Sequence, residues 1–304
     1  MSCSPLITIG LTIRFYNELD PLRLMHLFHR LPNIDNFSAD AFTPRNEVGC
    51  EDESPPKLSK VKHTRMRHVS LPSTVIAATV RMPRALEDFV CTVGGRASSD
   101  GGKYIVFPEA IGKALWCQRI SLRKLDLDID DHISPTWPEW AQPPADVMEE
   151  FVPDGPVEVQ APQSQETAHN VEKIRTKDLN TGREHNSTIG SLYDFHVLTH
   201  LSTSIEALLG PRDDDREDVA YQAPFRLVDA LPRSLEYLLI RGYKRGEETS
   251  YDQHLDELLA VREERLPNLR TIGGLEECVA VGRDVLDPDN NPGELWQPQI
   301  SAEW

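Results

Sequence analysis

The chain has 304 residues, with 49 Asp and Glu against 32 Lys and Arg and a net charge of −17 at neutral pH. Such an acidic surface argues against sequence-blind nucleic-acid binding, which needs clustered Lys and Arg, and favours a protein partner of basic character. The five cysteines are an odd number without Cys-x-x-Cys spacing, which points to reduced thiols in a cytoplasmic or nuclear protein, and no apolar run reaches membrane-spanning length.

Taken in chain order, Ile7, Ile9, Leu11 and Ile13 alternate with Thr8, Gly10 and Thr12, the period of a strand. No basic leader precedes them, so a signal peptide is not expected, and no polar cap is visible ahead of this strand, as a shortened gene model or an upstream partner surface would leave it. A helical stretch at 22–28 leads into Leu31-Pro32-Asn33-Ile34, and a polar loop with Pro44, Pro55 and Pro56 is expected over 43–63. Helix 75–80 then leads into a strand ending near Cys91, and helix 107–116 into the alternation Leu122, Leu125, Leu127, Ile129. Residues 134–188 carry ten acids, four Lys or Arg and Pro143-Pro144, too polar to bury enough surface to offset ordering, and read as a disordered insertion. Within it Trp137 and Trp140 could dock back or act as a short motif.

A strand follows at 198–205, an acidic loop at 213–218, a helix at 225–231 stopped by Pro232, and a strand with Leu235, Leu238 and Ile240 on one side and Tyr237, Leu239 and Arg241 on the other. An amphipathic helix over 251–262 sets Leu255, Leu258, Leu259 and Arg262 on one face before Leu266-Pro267-Asn268-Leu269 and a polar tail. With Ile34, Leu86, Leu122, Leu198, Leu235 and Leu269 as equivalents, successive steps are 52, 36, 76, 37 and 34 residues, the long ones carrying polar insertions. A helix plus a strand is too small to bury its own apolar face, so the units must stack. The expected architecture is a curved α/β leucine-rich-repeat solenoid of six or seven units, with parallel strands on the concave side and helices on the convex side. Its parts are repeats over 1–133, the insertion at 134–188, further repeats over 189–278, and a flexible tail at 279–304.

The segments IGSLYDFHVLTHLSTSIEALLG, LVDALPRSLEYLLIRGYKRG and GGKYIVFPEAIGKAL resemble leucine-rich-repeat domains of filamentous-fungal proteins often described as F-box-like, over roughly residues 6–276. In that family an amino-terminal F-box docks to a ubiquitin-ligase adaptor while the repeats hold the substrate. The resemblance therefore implies a substrate-recognition role, although no F-box-like block precedes the first repeat in this chain.

Motifs for chemistry are sparse. The glycine-rich loop from Gly94-Gly95 to Gly101-Gly102-Lys103 has Ala97 and Tyr104 where a phosphate loop wants Gly and Ser or Thr. His196 and His200 stand four apart, as do metal pairs on helices, but Val197 occupies the place of the hydrolytic Glu, and the three-apart pair His26 and His29 reads the same way. Asp126 and Asp128 share one strand face, where paired carboxylates serve acid–base work or simply face solvent. A metal-dependent or acid–base hydrolase built on these residues is the alternative function, and a truncated paralogue without a selected partner is another. The favoured reading is a non-enzymatic protein-binding scaffold, monomeric or part of a larger complex, without a cofactor. Its contact residues are the off-core strand positions, Asn36, Ser38, Asp40, Asp88, Thr92, Lys124, Asp126, Asp128, His200, Tyr237 and Arg241, which stack into a ladder with an acidic centre.

Overall fold

The alternating segments become strands in a computed structural model that describes residues 7–12, 27, 30, 34–40, 59–93, 106–129, 188–211, 223–276, 278 and 279. They are β1 (Ile7–Thr12), β2 (Ile34–Asp40), β3 (His63–Val69), β4 (Asp88–Val93), β5 (Lys124–Asp128), β6 (His200–Ser204), β7 (Tyr237–Arg241) and β8 (Thr271–Gly273). Each pairs in parallel with the strand before and after it in sequence, giving one eight-stranded sheet in the order β1 to β8. Among the described residues the connections contain α1 (Ser73–Arg81), α2 (Pro108–Trp116), α3 (Ile205–Leu209), α4 (Leu227–Ala230) and α5 (Thr249–Arg265). A parallel strand needs a crossover to reach its neighbour, so this alternation is that of an α/β repeat.

Two rows of the register carry across the sheet, with shifts only between Ile7 and Thr8 and between Met66 and Val69. Phe37, Thr64, Phe89, Leu125, Leu201, Leu238 and Ile272 lie side by side, and Ala39, Met66, Cys91, Leu127, Thr203 and Ile240 form the next such row. Both rows point toward the helices and, Ile272 and the two threonines aside, belong to one core that also holds Val75, Ile76, Ile111, Leu115, Leu208, Leu255 and Leu258. Ile34, Leu86, Leu122, Leu198, Leu235 and Leu269, expected to be equivalent, are all buried there. At about 1.5–3 kcal/mol for each fully buried aliphatic side chain, this row alone drives stacking of units that could not fold singly.

One expectation changes. The 52-residue step is two units, because Val61, 1% exposed, sits between Ile34 and Leu86 and introduces β3. The loop expected over 43–63 therefore gives way at Ser59 to a strand entry, its earlier part lying outside the described residues. The strand HTRMRHV hid because its core-facing positions hold Thr64 and Met66 instead of leucines while its other face is basic.

Connections are closed by polar side chains at few points. Gln118, 1% exposed, accepts from Leu86 N–H at 3.0 Å and donates to the carbonyls of Val80 and Pro83 at 2.9 Å each, tying the end of α2 to the preceding unit. Ser73 Oγ accepts from Phe107 N–H at 2.7 Å, and Ser204 Oγ caps α3 by accepting from Ala207 N–H at 3.0 Å. Gly112 on α2 permits a close approach: a Cβ there would lie 2.1 Å from the carbonyl oxygen of Ile189, so the chain re-entering after residue 187 can pack directly on the helix. Ahead of the strands a second row, Lys62, Glu87 and Arg123, pairs at 2.6 and 4.0 Å, and Glu236 with Arg270 at 4.0 Å. These are exposed pairs of about 0.2–1 kcal/mol at most.

The helices follow the sequence pattern with two departures. α4 is a four-residue helix ending before Leu231, whose extended backbone prepares Pro232. In α5 Tyr251, Leu255 and Leu258 are buried, whereas Leu259 is 40% exposed, so the apolar face is narrower than the spacing suggested. Of the helix expected at 22–28 only Leu27 is described, as helical. The glycine-rich loop at 94–103, the acidic loop at 213–218, the insertion through residue 187 with Trp137 and Trp140, and the tail beyond Val279 lie outside the described residues.

Candidate interaction face

Because successive strand side chains alternate, the positions between core residues share the sheet's other face. One row there runs Asn36, His63, Asp88, Lys124, His200, Tyr237, Thr271, and the next Ser38, Arg65, Val90, Asp126, Ser202, Leu239, Gly273. A third holds Asp40 in register with Arg67, Thr92 with Asp128, and Ser204 with Arg241. The expected ladder is thus assembled in register, and β3 adds His63, Arg65 and Arg67, which sequence reasoning missed.

The face is not a uniform solvated strip. Asn36, Ser38, Thr92, Lys124, Asp126 and Tyr237 are partly exposed, while Asp88, Asp128, His200 and Arg241 are buried; nothing is described of the Asp40 side chain. Burial of the charged groups is matched by partners. Arg241, its side chain 3% exposed, donates from Nη2 to Asp126 Oδ1 at 3.0 Å and from Nε to Ser202 Oγ at 3.0 Å, with Nη1 3.9 Å from Asp128 Oδ2. One guanidinium on β7 thereby crosses β6 to hold two carboxylates on β5. The acidic centre anticipated from the sequence is consequently countered from within by one cation shared between two carboxylates, an arrangement that suits structure more than proton transfer.

A second polar group lies on the adjoining strands β3 and β4. His63 Nδ1 is 2.5 Å from Asp88 Oδ2, and this bond, followed by the attraction of Asp88, Glu87 and Asp35, raises the imidazole above its ordinary value against the opposing effect of burial. Arg65 is pushed down from the usual arginine value by burial first and by the neighbouring Arg67 guanidinium second. Further along the row the rings of His200 and Tyr237 stack with centroids 4.4 Å apart, and Thr199 Oγ1 lies 2.8 Å from His200 Nδ1.

A family model of the leucine-rich repeat domain matches residues 160–287. The match takes in β6, β7, β8 and helices α3, α4 and α5. No curated protein and no solved structure matches the chain. Leucine-rich repeat domains are typically interaction modules, and the leucine row from Leu198 through Leu235 to Leu269 is where the matched segment shows its repeat.

The residues proposed for metal or acid–base chemistry are not gathered into one site. His196 is exposed in the turn before β6, whereas His200 is buried beneath Tyr237 on the strand. Among the described residues no three His, Cys, Asp or Glu side chains converge as a metal site would require. His26 and His29 lie outside the described residues. No described helix is long and apolar enough to cross a membrane.

Proposed function

We propose that this chain is a non-enzymatic leucine-rich-repeat scaffold that binds another protein across the off-core face of its parallel sheet. The carrying observation is the in-register stacking of Asn36, Asp88, Lys124, His200 and Tyr237, with Ser38 and Asp126 one row over and Asp40, Thr92, Asp128 and Arg241 in the third. In this reading the sheet is the concave wall of a curved solenoid, its blocks at 1–133 and 189–278 continuous through the β5–β6 pairing. The buried members preorganise the wall; Asn36, Ser38, Lys124, Asp126 and Tyr237 meet the partner. Tyr supplies large contact area at low entropic cost and is favoured at interface centres.

The finer reading is substrate recognition for a ubiquitin ligase of F-box type, the chain acting within a larger complex of the cytoplasm or nucleus. It is supported by the sequence resemblance and by thiols such as Cys91 and Cys117 that stand outside any disulfide.

The test is site-specific photocrosslinking. A benzophenone side chain placed at Asn36, Lys124 or Tyr237 is expected to capture the same protein, which the same probe at Glu263 on the exposed side of α5 does not capture. Equal capture from Glu263, or capture from there alone, removes the face from the function. A captured protein that is a ligase substrate would also be stabilised in cells lacking the chain.

A further inference from the structure

The amino ends of the strands form a rim beside the off-core face. There Lys62 N–H donates to the Asp35 carbonyl, Glu87 to Lys62, Arg123 to Glu87, Thr199 to Arg123, Glu236 to Thr199 and Arg270 to Glu236, at 2.7–2.9 Å. The stretches around the repeat leucines therefore lie side by side, about 4.8 Å apart. From three places before each of the row members, Ile34 and Val61 included, to one place after it, they carry seven Lys or Arg against three acids, Asp35, Glu87 and Glu236. A chain of net charge −17 thus has a rim of the opposite sign. Glu87 is shared between Lys62 at 2.6 Å and Arg123 at 4.0 Å, and Glu236 reaches Arg270 at 4.0 Å.

One large apolar side chain stands out from this rim. Two places before the leucine, other units expose Arg84, His196, Arg233 and Pro267; the unit of Leu122 exposes Ile120, at 76%. The turn that carries it is fixed. The Gln118 carbonyl accepts from the N–H groups of Ser121 and Leu122 at 2.9 Å each, and the Gln118 side chain is bonded to the preceding unit. Arg119 donates from Nη1 to the Trp116 carbonyl at 3.2 Å, with its guanidinium 4.8 Å over the Trp116 ring, and Arg123 is 65% exposed on the other side of Ile120 in the chain. Single apolar residues on a surface are ordinary. A rigid turn holding one between two arginines is the arrangement of an interface anchor whose ordering is already supplied by the fold.

We infer that this rim is a second interaction surface, which takes an acidic segment of a partner protein by burying one of its apolar side chains against Ile120 while its carboxylates meet Arg119 and Arg123. Neither arginine has to give up what it already touches. Arg119 stacks through the face of its guanidinium, and Arg123 has its nearest acid, Glu87, only at 4.0 Å. A guanidinium has five donors, so each can add a carboxylate along its planar edge. The bulk charge of the chain repels an acidic segment from most of the surface and so directs it to the rim. The apolar anchor favours a polypeptide over a nucleic acid, whose phosphates would leave Ile120 in water.

The experiment uses the full chain and fluorescein-labelled peptides, read by fluorescence polarisation. One peptide has a central Phe flanked by Glu residues; a second has Ser in place of Phe; a third has Lys in place of Glu. The Phe–Glu peptide is expected to bind best and to weaken as salt rises. Ile120→Ser is expected to weaken it about tenfold, the effect of losing one buried aliphatic contact. R119Q/R123Q is expected to weaken it by a similar factor and to flatten the salt dependence, with Arg123→Gln alone giving part of the loss and the thermal transition of each variant confirming folding. Arg245→Gln, exposed in the loop before α5, is expected to leave binding unchanged. No binding of the Phe–Glu peptide, equal affinity for the Ser peptide, preference for the Lys peptide, or indifference to Ile120→Ser in folded protein overturns the inference. Binding of oligouridylate in place of the Phe–Glu peptide overturns it in favour of nucleic acid. A benzophenone at Ile120 that crosslinks the purified chain to itself, within one copy or between two, overturns it as well, because the rim is then occupied without a partner. Crosslinks from Asn36, Lys124 and Tyr237 report on the other surface, so the failure of one reading leaves the other standing.

Discussion

Replacing Arg241 with Met tests whether the strand face is held together from inside. The guanidinium is 3% exposed and faces carboxylates whose side chains are 14% and 6% exposed, at 3.0 and 3.9 Å. Methionine fills much of the volume but leaves Asp126 and Asp128 without this cation and Ser202 Oγ without a donor 3.0 Å away. Removing one member of such a buried network costs about 3–5 kcal/mol, most of it the penalty for charge left behind. With a urea slope of about 2.5 kcal/mol/M, the unfolding midpoint falls by about 1–2 M. The triple variant D126N/D128N/R241M removes the stranded charges with their partner and should recover at least half of that loss. The measurement is equilibrium urea unfolding followed by far-UV circular dichroism. If Arg241→Met costs under about 1 kcal/mol, or if the triple variant is no better than the single one, the carboxylates are not held by this cation and the account of the face is wrong.

Three further outcomes follow from the packing and the titrating groups. Gly112→Ala places a Cβ 2.1 Å from the Ile189 carbonyl and should destabilise by about 1–3 kcal/mol, while Gly190→Ala, at φ 77° with nothing within 4 Å, should cost nearer 1 kcal/mol; thermal unfolding of both separates clash from backbone strain. Thr203 is fully buried in the core row and its hydroxyl finds no partner among the described residues, so Thr203→Val should raise stability by about 1 kcal/mol in urea unfolding, and a loss of that size would reveal a bond. Proton NMR should titrate His63 above 6.5 and His254 below it, since His63 pairs with Asp88 whereas burial disfavours protonation of His254, whose Nδ1 accepts from Leu227 N–H. With its folded value raised, His63 contributes stability that is full below about 6.5 and lost as pH rises through the raised value; His254 does the opposite, its contribution disappearing as pH falls below about 6.5. His63→Gln should therefore lower stability below about pH 6.5 and remove the decline that His63 causes as pH rises from there through its raised value.

How far the fold could be read in advance depended on leucine. Leu122, Leu125 and Leu127 announced β5, and equivalent leucines announced β6 and β7, because apolar residues at fixed offsets report the core row directly. β3 was invisible by the same logic: its unit begins with Val61, not Leu, and its core positions hold Thr64 and Met66, so no leucine marked the strand that begins where the polar stretch 43–63 ends. The ladder of face positions was legible for β2, β4, β5, β6 and β7, since alternation fixes one face once the other is known. Which of its members would be exposed was not. Arg241 and Asp126 stand 115 residues apart in sequence, and their contact follows only after the 76-residue step from Leu122 to Leu198 is recognised as a single rung.

That long step also shows why the array survives its interruption. Lengthening a connection from about 36 to about 76 residues roughly doubles it, and each doubling adds only about 0.6 kcal/mol of closure entropy. Against this, Ile189, Leu192 and Phe195 bury almost completely where the chain returns, each contributing about 1.5–3 kcal/mol. Closure is thus a small term; register is the harder problem, because strands joined through a long connection receive no guidance from a turn. A one-residue slip of β6 against β5 would carry Leu201 out of the core and Ser202 into it. It would also displace the strand that Arg241 spans to reach Asp126, breaking a charged contact that tolerates little misalignment. The leucine row makes stacking favourable in general, and the arginine crossing makes one alignment of β5, β6 and β7 better than its neighbours. Those two acids, which looked from the sequence like a binding or catalytic pair, therefore do their work at the junction where connectivity helps least.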